Sequence, residues 1–294
     1  MSSLFSGTGV ALVTPFDDSF QVDYRGLDKL LEYNAENGVD YFVVLGTTGE
    51  SPTTSLEEKK EILKHIKNNN PRKLPIMYGI GGNHTLGVID QIKGTEFDGV
   101  DGLLSVSPYY NKPSQAGIIN HYEMIADASP VPVILYNVPG RTASNLTAGT
   151  TLTLAQHPNI VGIKEASGDI NQCLEIVRNK PDDFLLISGD DMLTVPLIGI
   201  GAVGVISVMA NAFPALFKKM THGALEGDTT LYSNAIYQLS RMNALMYKES
   251  NPTGVKQVLQ ALNICGATVR PPLLSASEQL THEIKQVLET MDWQ

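Results

Sequence analysis

Residues 159–167 read NIVGIKEAS, and the preceding apolar run, PVILYNVP, occupies residues 132–139. Both runs are apolar along most of their length and do not alternate with polar residues. Continuous apolar runs of this kind are typical of strands in a parallel sheet that is covered on both faces. The spacing between the two runs leaves room for a helix, so the pair predicts a strand–helix–strand unit.

The same pattern continues in both directions along the chain. Apolar runs that predict strands lie at 10–16, 41–48, 74–82, 99–110, 132–139, 159–167, 184–191 and 202–211. Amphipathic segments at 23–38 and 55–70 alternate with them. The first ends at Gly38, which suits a helix terminus, and the second opens with the capping-box pair Ser55 and Glu58. Eight such units predict an α/β fold, a closed (β/α)8 TIM barrel, which typically takes about 250 residues.

The last part of the chain has no comparable strand run. Its amphipathic segments predict helices, so we expect a catalytic barrel at residues 1–225 and a C-terminal helical region at 226–294. The main alternative is an open, doubly wound sheet, in which a glycine-rich phosphate-binding loop usually follows the first strand. Here the first strand ends in TPF, without such a loop. The barrel is therefore the better prediction.

Composition disfavours several classes of protein. The 294 residues include 21 Lys and Arg against 31 Asp and Glu, a formal net charge of −10, which disfavours binding to nucleic acid or to an anionic membrane. No apolar run reaches the length of a membrane span, and the N-terminus lacks the features of a signal peptide. Cys173 and Cys265 form no CxxC pair and no metal-ligand spacing. We expect a cytoplasmic protein with no bound metal.

The carboxyl ends of the strands are where active sites lie in barrels of this kind. Here they carry hydroxyls, phenols and basic groups. The segments are GTTGES at 46–51, SPYYNKP at 107–113, YNVPGRT at 136–142, Lys164, SGDD at 188–191 and ISVMAN at 206–211. They contain no histidine cluster and no carboxylate set with metal-ligand spacing. The residues at these strand ends therefore indicate a reaction carried out by a lysine and tyrosines.

Lys164 stands at the end of an apolar strand. Taken alone, it is most simply interpreted as a lysine that reaches solvent or pairs with Glu165. Burial of a lysine instead favours its neutral amine, which can attack a ketone to form a Schiff base without any cofactor. Tyr136, at the end of the neighbouring strand, is the natural proton shuttle, and Thr48 and Tyr110 can relay the proton outward.

Two further groups are suited to carboxylates. The GTTGE turn at 46–50 offers backbone N–H groups and hydroxyls to a small carboxylate. Arg141 offers bidentate recognition of a second one. Taken singly, the turn could be structural, the tyrosines could be packing residues and Arg141 could be a solvated charge. Their shared position at one predicted rim favours a common function.

The motifs GTTGES, SPYYNKP, LYNVPGRT, GIKEASGD and GVISVMAN, in this order and spacing, resemble the class I, pyruvate-dependent aldolase family of dihydrodipicolinate synthases and N-acetylneuraminate lyases. The resemblance runs from GTGVALVTPF to ESNPTGVK at 249–256. It implies a lyase of lysine and diaminopimelate biosynthesis that condenses pyruvate with L-aspartate-4-semialdehyde to 4-hydroxy-tetrahydrodipicolinate. It also implies no cofactor besides the covalent pyruvate on Lys164, and a homotetramer built from tight dimers.

The same resemblance implies roles for individual residues. Lys164 would form the Schiff base, and Tyr136, Thr48 and Tyr110 would form a proton relay in which Tyr110 reaches into the active site of a neighbouring subunit. The substrate-binding residues would be Thr47 and Thr48 for the pyruvate carboxylate, Arg141 for the semialdehyde carboxylate, and Gly189 and Ile206 through their backbones. Sialic-acid lyases usually lack the arginine, so Arg141 favours the lysine-biosynthesis branch.

Members of this family that are inhibited by L-lysine bind it in a cleft at the dimer interface. The corresponding positions here are Ser51, Pro52, Leu56, Lys59, Asn83, Gly87 and Tyr109. Leu56 and Lys59 stand where sensitive members carry histidines, and Gly87 stands where they carry a glutamate. That glutamate would accept the ammonium of the effector, and Lys59 would repel it. We therefore expect weak inhibition by lysine or none.

Two other functions remain open at this point. One is a sibling pyruvate aldolase that acts on another aldehyde, of the N-acetylneuraminate lyase or 2-keto-3-deoxy sugar acid aldolase type. The other is a catalytically silent barrel that serves as a binding protein. A silent barrel is expected to have lost the lysine or the tyrosines, and this sequence keeps all of them.

Overall fold

A computed structural model of the chain describes residues 4–293. Within these residues eight strands follow one another in chain order in a closed barrel, which confirms the predicted fold class. The strands are β1 (Gly7–Ala11), β2 (Tyr41–Val44), β3 (Ile76–Gly79), β4 (Gly102–Val106), β5 (Val133–Asn137), β6 (Ile160–Glu165), β7 (Leu185–Ser188) and β8 (Gly204–Ser207). Each strand lies within, or overlaps, one of the eight apolar runs.

The strands are shorter than the apolar runs that predicted them. In the first run the strand ends at Ala11, although the N–H of Leu12 still donates to the carbonyl of Val43 at 3.0 Å. Pro15 has no N–H, so it cannot donate to a strand ladder. Apolar residues therefore continue beyond the strand ends, and candidate functional residues such as Thr48, Tyr110 and Gly189 lie there, whereas Tyr136 and Lys164 lie within strands.

Helices separate the strands and make up most of the chain after β8. They are α1 (Tyr24–Glu36), α2 (Leu56–Asn69), α3 (Thr85–Lys93), α4 (Gln115–Ala128), α5 (Pro139–Thr142), α6 (Ala148–Leu154), α7 (Ile170–Asn179), α8 (Thr194–Gly199), α9 (Pro214–Glu226), α10 (Thr229–Tyr247), α11 (Thr253–Ala261) and α12 (Glu278–Leu288). The predicted capping box is present, because Ser55 accepts from the N–H of Glu58 and the Glu58 carboxylate accepts from the N–H of Ser55. Gly38 follows α1 with a φ of +91°.

The helices after β8 confirm the expected C-terminal helical extension. Helix α10 packs against α9, α11 and α12. The proposed division at residue 225 falls close to the end of α9 and stays a prediction.

Contacts between residues divide the chain into two compact units. Of the described residues, the first unit holds 4–6 and Pro75–Ile206, and the second holds Gly7–Leu74 and 207–293. The first unit carries β3 to β7, most of β8, and Lys164. The second unit carries β1, β2, helices α9 to α12, and the GTTGES segment.

The pairing of β5 with β6 sets the surroundings of Lys164. The two strands are parallel, and Tyr136 lies opposite Lys164. The register shifts by one residue just after Val133, whose partner is Ile160, because Ile134 pairs with Gly162. On its other side Lys164 lies opposite Ile187 of β7. An inserted residue of this kind re-aims the side chains that follow it.

Candidate active site

The first unit places Lys164 and Tyr136 side by side on β6 and β5. The Nζ atom of Lys164 lies 4.4 Å from the centroid of the Tyr136 ring, and the two residues are only 5% and 7% exposed. Contact with the face of an aromatic ring attracts a lysine head group and restrains its position. Within residues 4–293 no carboxylate forms an ion pair with Lys164.

Glu165 does not pair with the adjacent lysine. Its carboxylate accepts from Asn137 Nδ2 at 3.0 and 3.1 Å, from Gln172 Nε2 at 2.8 Å and from the N–H of Ser167 at 2.7 Å. Successive side chains of a strand point to opposite faces, so Glu165 and Lys164 face different surroundings. The ion pair that was the simplest interpretation of the lysine from the sequence is therefore absent, and Glu165 serves the packing of α7.

Gly189 and Ile206 lie in the same unit as Lys164. The N–H of Gly189 donates to the carbonyl of Glu165 at 2.7 Å. A Cβ atom on Gly189 would lie 2.7 Å from the Cβ of Ala166 and 3.1 Å from the Cε of Lys164. Any side chain at position 189 would therefore crowd Lys164. Ile206 is in β8 and is 1% exposed.

Arg141 lies in the short helix α5, directly after β5. The N–H groups of Arg141 and Thr142 both donate to the carbonyl of Val138, at 2.9 and 3.0 Å. The helix ends at Ala143, which has a φ of +55°. The Arg141 side chain is exposed and forms no ion pair within residues 4–293. Its guanidinium is therefore free to bind an anion from solution.

Tyr110 does not join the buried lysine within the chain. It is 87% exposed and has a φ of +71°. The carbonyl of its neighbour Tyr109 accepts from Asn83 Nδ2 at 3.0 Å and from the N–H of Asn111 at 2.8 Å. Asn111 in turn donates through Nδ2 to the carbonyl of Asn83 at 2.9 Å. The loop is thus held in a conformation that projects a phenol into solvent.

In the second unit, the GTTGE segment forms a 3-10 turn over Thr47–Gly49. Thr48 is 3% exposed, and its Oγ1 accepts from Asn251 Nδ2 at 3.1 Å. The hydroxyl of Thr14 donates to the carbonyl of Gly49 at 2.7 Å. Residue Glu50, at the end of the turn, has a φ of +54°. The left-handed position of the turn is therefore occupied by a residue other than glycine.

Sequence reasoning missed the partners of this turn. Glu50 was given no role, yet its carboxylate is buried and lies 2.6 Å from the Nζ of Lys256. Asn251 and Lys256 both belong to the ESNPTGVK segment. Because this segment is one of those that carry the family resemblance, the sequence did indicate that these residues have a role. A single sequence does not show which distant residues pair, so their contacts could not be deduced from it.

The positions that the family resemblance assigns to a lysine-binding cleft are divided between the two units. In the second unit Leu56 is 53% exposed, and burial lowers the pKa of Lys59. In the first unit Asn83 is bound to the carbonyl of Tyr109. A Cβ atom on Gly87 would lie 2.7 Å from His84 Nδ1, so a glutamate there would require His84 to move. Ser51 opens the 3-10 turn Ser51–Thr53.

Two kinds of feature are absent from the described residues. Among residues 4–293 no group of three or more His, Cys, Asp and Glu side chains is arranged to hold a metal ion. No helix in the same range combines the length and the apolar composition that crossing a membrane requires.

Comparison with known proteins relates this arrangement to one family. The model of the dihydrodipicolinate synthetase family matches residues 4–291. A 4-hydroxy-tetrahydrodipicolinate synthase from Cytophaga hutchinsonii is 52% identical over 282 residues, which are 96% of this chain and 95% of that protein.

Solved structures agree with this relationship. A dihydrodipicolinate synthase from Bacillus anthracis superposes with a TM-score of 0.94 at 36% identity, covering 98% of both chains. A chloride-inhibited dihydrodipicolinate synthase from Acinetobacter baumannii, complexed with pyruvate, superposes with a TM-score of 0.93 at 37% identity. That match covers 97% of this chain and 98% of the other.

Proposed function

This chain belongs to the dihydrodipicolinate synthetase family of lyases, which serves lysine and diaminopimelate biosynthesis, and we propose that it joins pyruvate to L-aspartate-4-semialdehyde through a Schiff base on Lys164. The product is 4-hydroxy-tetrahydrodipicolinate. The name of the Cytophaga relative and the pyruvate complex of the Acinetobacter relative support this choice of substrate and product.

The observation that carries the proposal is the buried amine of Lys164 against the ring of Tyr136, 4.4 Å from Nζ to centroid. A lysine at this depth that has no carboxylate partner among residues 4–293 is an unusual structural residue, since buried charges are normally paired. The same placement suits a nucleophile, because it keeps the amine in a dry site beside a phenol that can move protons.

The reaction follows from the chemistry of an amine and a 2-keto acid. The Lys164 amine adds to the ketone carbon of pyruvate, and loss of water leaves an iminium ion. The iminium draws electrons from the adjacent methyl group, which loses a proton to give an enamine. The enamine carbon attacks the aldehyde carbon of the semialdehyde, whose oxygen takes up a proton. The amino group of the semialdehyde then attacks the iminium carbon, closes the ring and releases the lysine amine.

The remaining residues take the roles that the family resemblance implies. Tyr136 is the proposed proton shuttle, with Thr48 and Tyr110 as its relay partners. Thr47 and Thr48 bind the pyruvate carboxylate through the turn that begins at Thr47. The Arg141 guanidinium, which forms no ion pair within residues 4–293, supports recognition of the second carboxylate. Gly189 and Ile206 line the pocket through their backbones.

The exposure of Tyr110 supports an oligomeric enzyme. A phenol that is 87% exposed is poorly placed for chemistry in its own chain, so we propose that it acts in a neighbouring subunit. The expected assembly is a homotetramer made of two tight dimers. Sedimentation velocity measures the assembly directly, and a monomer of full activity would contradict the shared site.

The proposal includes three further properties. The enzyme needs no metal or organic cofactor, so activity should persist after treatment with a chelator. It works in the cytoplasm, which the free cysteines Cys173 and Cys265 support. It is weakly inhibited by L-lysine or not at all, because Lys59 and Gly87 replace the groups that would hold the effector's ammonium.

Trapping with borohydride tests the function. Pyruvate and borohydride are added to the protein, and peptide mass mapping then locates the reduced adduct. We expect the adduct on Lys164 and none in a Lys164→Arg variant. Activity is then measured with L-aspartate-4-semialdehyde, N-acetylmannosamine and glyceraldehyde as acceptors. The absence of an adduct on Lys164 would exclude the proposal, and preference for another acceptor would favour a sibling aldolase.

A further inference from the structure

The second unit contains a buried ion pair that the proposed reaction does not use. Lys256, in α11, is fully buried, and its Nζ lies 2.6 Å from Oε1 of Glu50. The same Nζ donates to the carbonyl of Thr268 at 2.8 Å and lies 4.3 Å from the centroid of the Phe16 ring. Burial lowers the pKa of Lys256, and the Glu50 carboxylate opposes this effect. The Lys256 ammonium is therefore held by the Glu50 carboxylate, the Thr268 carbonyl and the Phe16 ring.

Glu50 is held at each of its polar groups. Its Oε2 accepts from the N–H of Arg270 at 2.9 Å. Its carbonyl accepts from the N–H of Thr53 and from the hydroxyl of Thr54, both at 3.0 Å, and its own N–H donates to the carbonyl of Thr47 at 3.1 Å. The backbone of Glu50 is left-handed, which few residues other than glycine adopt. Such a conformation persists where surrounding contacts determine it.

A second contact reaches the same turn from the same segment of the chain. Asn251, just before α11, donates from Nδ2 to Oγ1 of Thr48. An amide NH2 group can only donate, so Oγ1 of Thr48 is the acceptor in this bond. The hydroxyl hydrogen of Thr48 is then left to donate elsewhere. Asn251 thus occupies one lone pair of the Thr48 oxygen and helps to fix the position of this side chain.

We propose that Glu50, Lys256 and Asn251, called the turn clamp below, position the Thr47–Thr48 turn and so set the affinity for the pyruvate carboxylate. The inference rests on the proposed function, because it concerns the same turn. N–H groups and hydroxyls bind an anion well only when supporting contacts fix their directions. Under this proposal Glu50 and Lys256 act through the turn and do not touch the substrate, so they are positioning residues.

A purely structural role for the ion pair makes a different prediction. Removing one partner leaves an unpaired buried charge, which destabilises the fold whatever the pair does. The double variant Glu50→Gln/Lys256→Met removes both charges at nearly constant volume, so it separates stability from positioning. The matched control is Glu58→Gln. It removes the neighbouring ion pair of Arg270, in the same unit, and leaves Glu50 and Lys256 in place.

The experiment titrates pyruvate in the borohydride trapping assay and records the adduct by intact mass, with a thermal melt of each protein. We expect the pyruvate concentration for half-maximal trapping to rise about tenfold or more in the double variant. The Glu58→Gln control should keep the wild-type concentration. Glu50→Asp retains both charges but withdraws the carboxylate by one methylene, and it should raise the concentration by a smaller factor.

The outcomes separate this inference from the proposed function. If the wild type forms no adduct, the proposed function fails, and the turn clamp fails with it. A second outcome is that the wild type forms the adduct while the double variant and Glu50→Asp both keep the wild-type pyruvate concentration for half-maximal trapping. That result would overturn only the turn clamp. An equal rise in Glu58→Gln would also overturn it, because the effect would then follow general stability. If the double variant does not fold, Glu50→Asp decides the question alone.

Discussion

Tyr136 and Lys164 are direct partners across the β5–β6 pair, and a one-residue shift in register near Val133 puts them there. Without that shift, the register set by Val133 and Ile160 would continue and place Ile163 opposite Tyr136. Because side chains alternate between the two faces of a strand, Lys164 would then point to the other face. The amine of Lys164 instead lies 4.4 Å from the centre of the ring. The register of one strand pair therefore decides whether the chain has a lysine and a phenol on the same face.

Replacing Tyr136 with phenylalanine should slow turnover with little effect on folding. The variant keeps the buried ring but loses the phenol, so we expect kcat to fall about 10²- to 10⁴-fold. The pyruvate adduct on Lys164 should still form at long incubation times, because the amine is unchanged. Steady-state kinetics and a trapping time course measure the two effects. A rate close to that of the wild type would show that another group moves the proton.

Tyr110→Phe tests the exposed member of the relay. Since Tyr110 is 87% exposed in its own chain, loss of its hydroxyl should change the free energy of unfolding of that chain by less than about 0.5 kcal/mol. The rate should nevertheless fall about 100-fold. Tyr237→Phe is the control, because Tyr237 is 68% exposed and has no assigned role. Equal rates for the two variants would remove Tyr110 from the relay.

Gly189→Ala should disturb the lysine sterically. The added methyl would lie 2.7 Å from Ala166 Cβ and 3.1 Å from Lys164 Cε, so we expect a loss of about 1–3 kcal/mol in the free energy of unfolding. Pyruvate trapping should slow as well. In the control Gly149→Ala, the methyl meets no atom within 4 Å beyond its chain neighbours and its own helix backbone, and it should stabilise α6. Denaturant melts and trapping rates, measured on both variants, check the prediction, and normal trapping by Gly189→Ala would contradict it.

L-Lysine at sub-millimolar concentration should leave the rate unchanged. The reason is the chemistry of the corresponding cleft positions, where Lys59 would repel an ammonium and Gly87 supplies no carboxylate. Initial rates measured against L-lysine, with D-lysine as the control for ionic effects, test this. Half-maximal inhibition in the sub-millimolar range would show that other groups bind the effector.

The stability of the fold should fall on mild acidification because of His121. Burial lowers the pKa of this residue from 6.5 to about 4, and its Nδ1 lies 2.8 Å from the hydroxyl of Thr85. Between these two pH values the unfolded chain binds a proton that the folded chain does not. Stability should therefore be full above pH 6.5 and drop by roughly 3 kcal/mol as the pH falls to 4.

The His121→Asn variant provides the comparison for this effect. Asparagine can keep a hydrogen bond with Thr85 but does not titrate, so its free energy of unfolding should vary less between pH 6.5 and 4. Urea melts at several pH values measure both proteins. Parallel pH curves would show that other groups cause the acid sensitivity.

Much of the fold could be predicted from local sequence. Apolar runs marked the eight strands, and the Ser55–Glu58 pair marked the start of a helix, because these signals depend on residues a few positions apart. Strand ends were less accurate. In the first run, for example, apolar residues continue through Leu12 and Val13 into a loop. An apolar composition indicates that a segment is buried. Because a buried loop next to a barrel has the same composition as a strand, composition does not show where the strand ends.

The candidate site could be predicted from the sequence only in part. Lys164 and Tyr136 could be assigned to neighbouring strand ends, and the motifs around them indicated a family. The role of Glu50 could not be predicted, because its partners Lys256 and Arg270 lie in a distant part of the chain. Tyr110 was assigned to a neighbouring subunit by resemblance, and only the structure showed how exposed it is.

The sequence by itself determined the number and order of the strands, the alternation of strands with helices, and the residue types at the strand ends. These follow from periodicity, capping residues and turn residues, which act over short distances along the chain. Only the tertiary structure decided the register that sets Lys164 against Tyr136 and the pairing of Glu50 with Lys256. Both depend on which distant side chains pack together without clashes or unpaired charges, and that choice is made when the whole core forms.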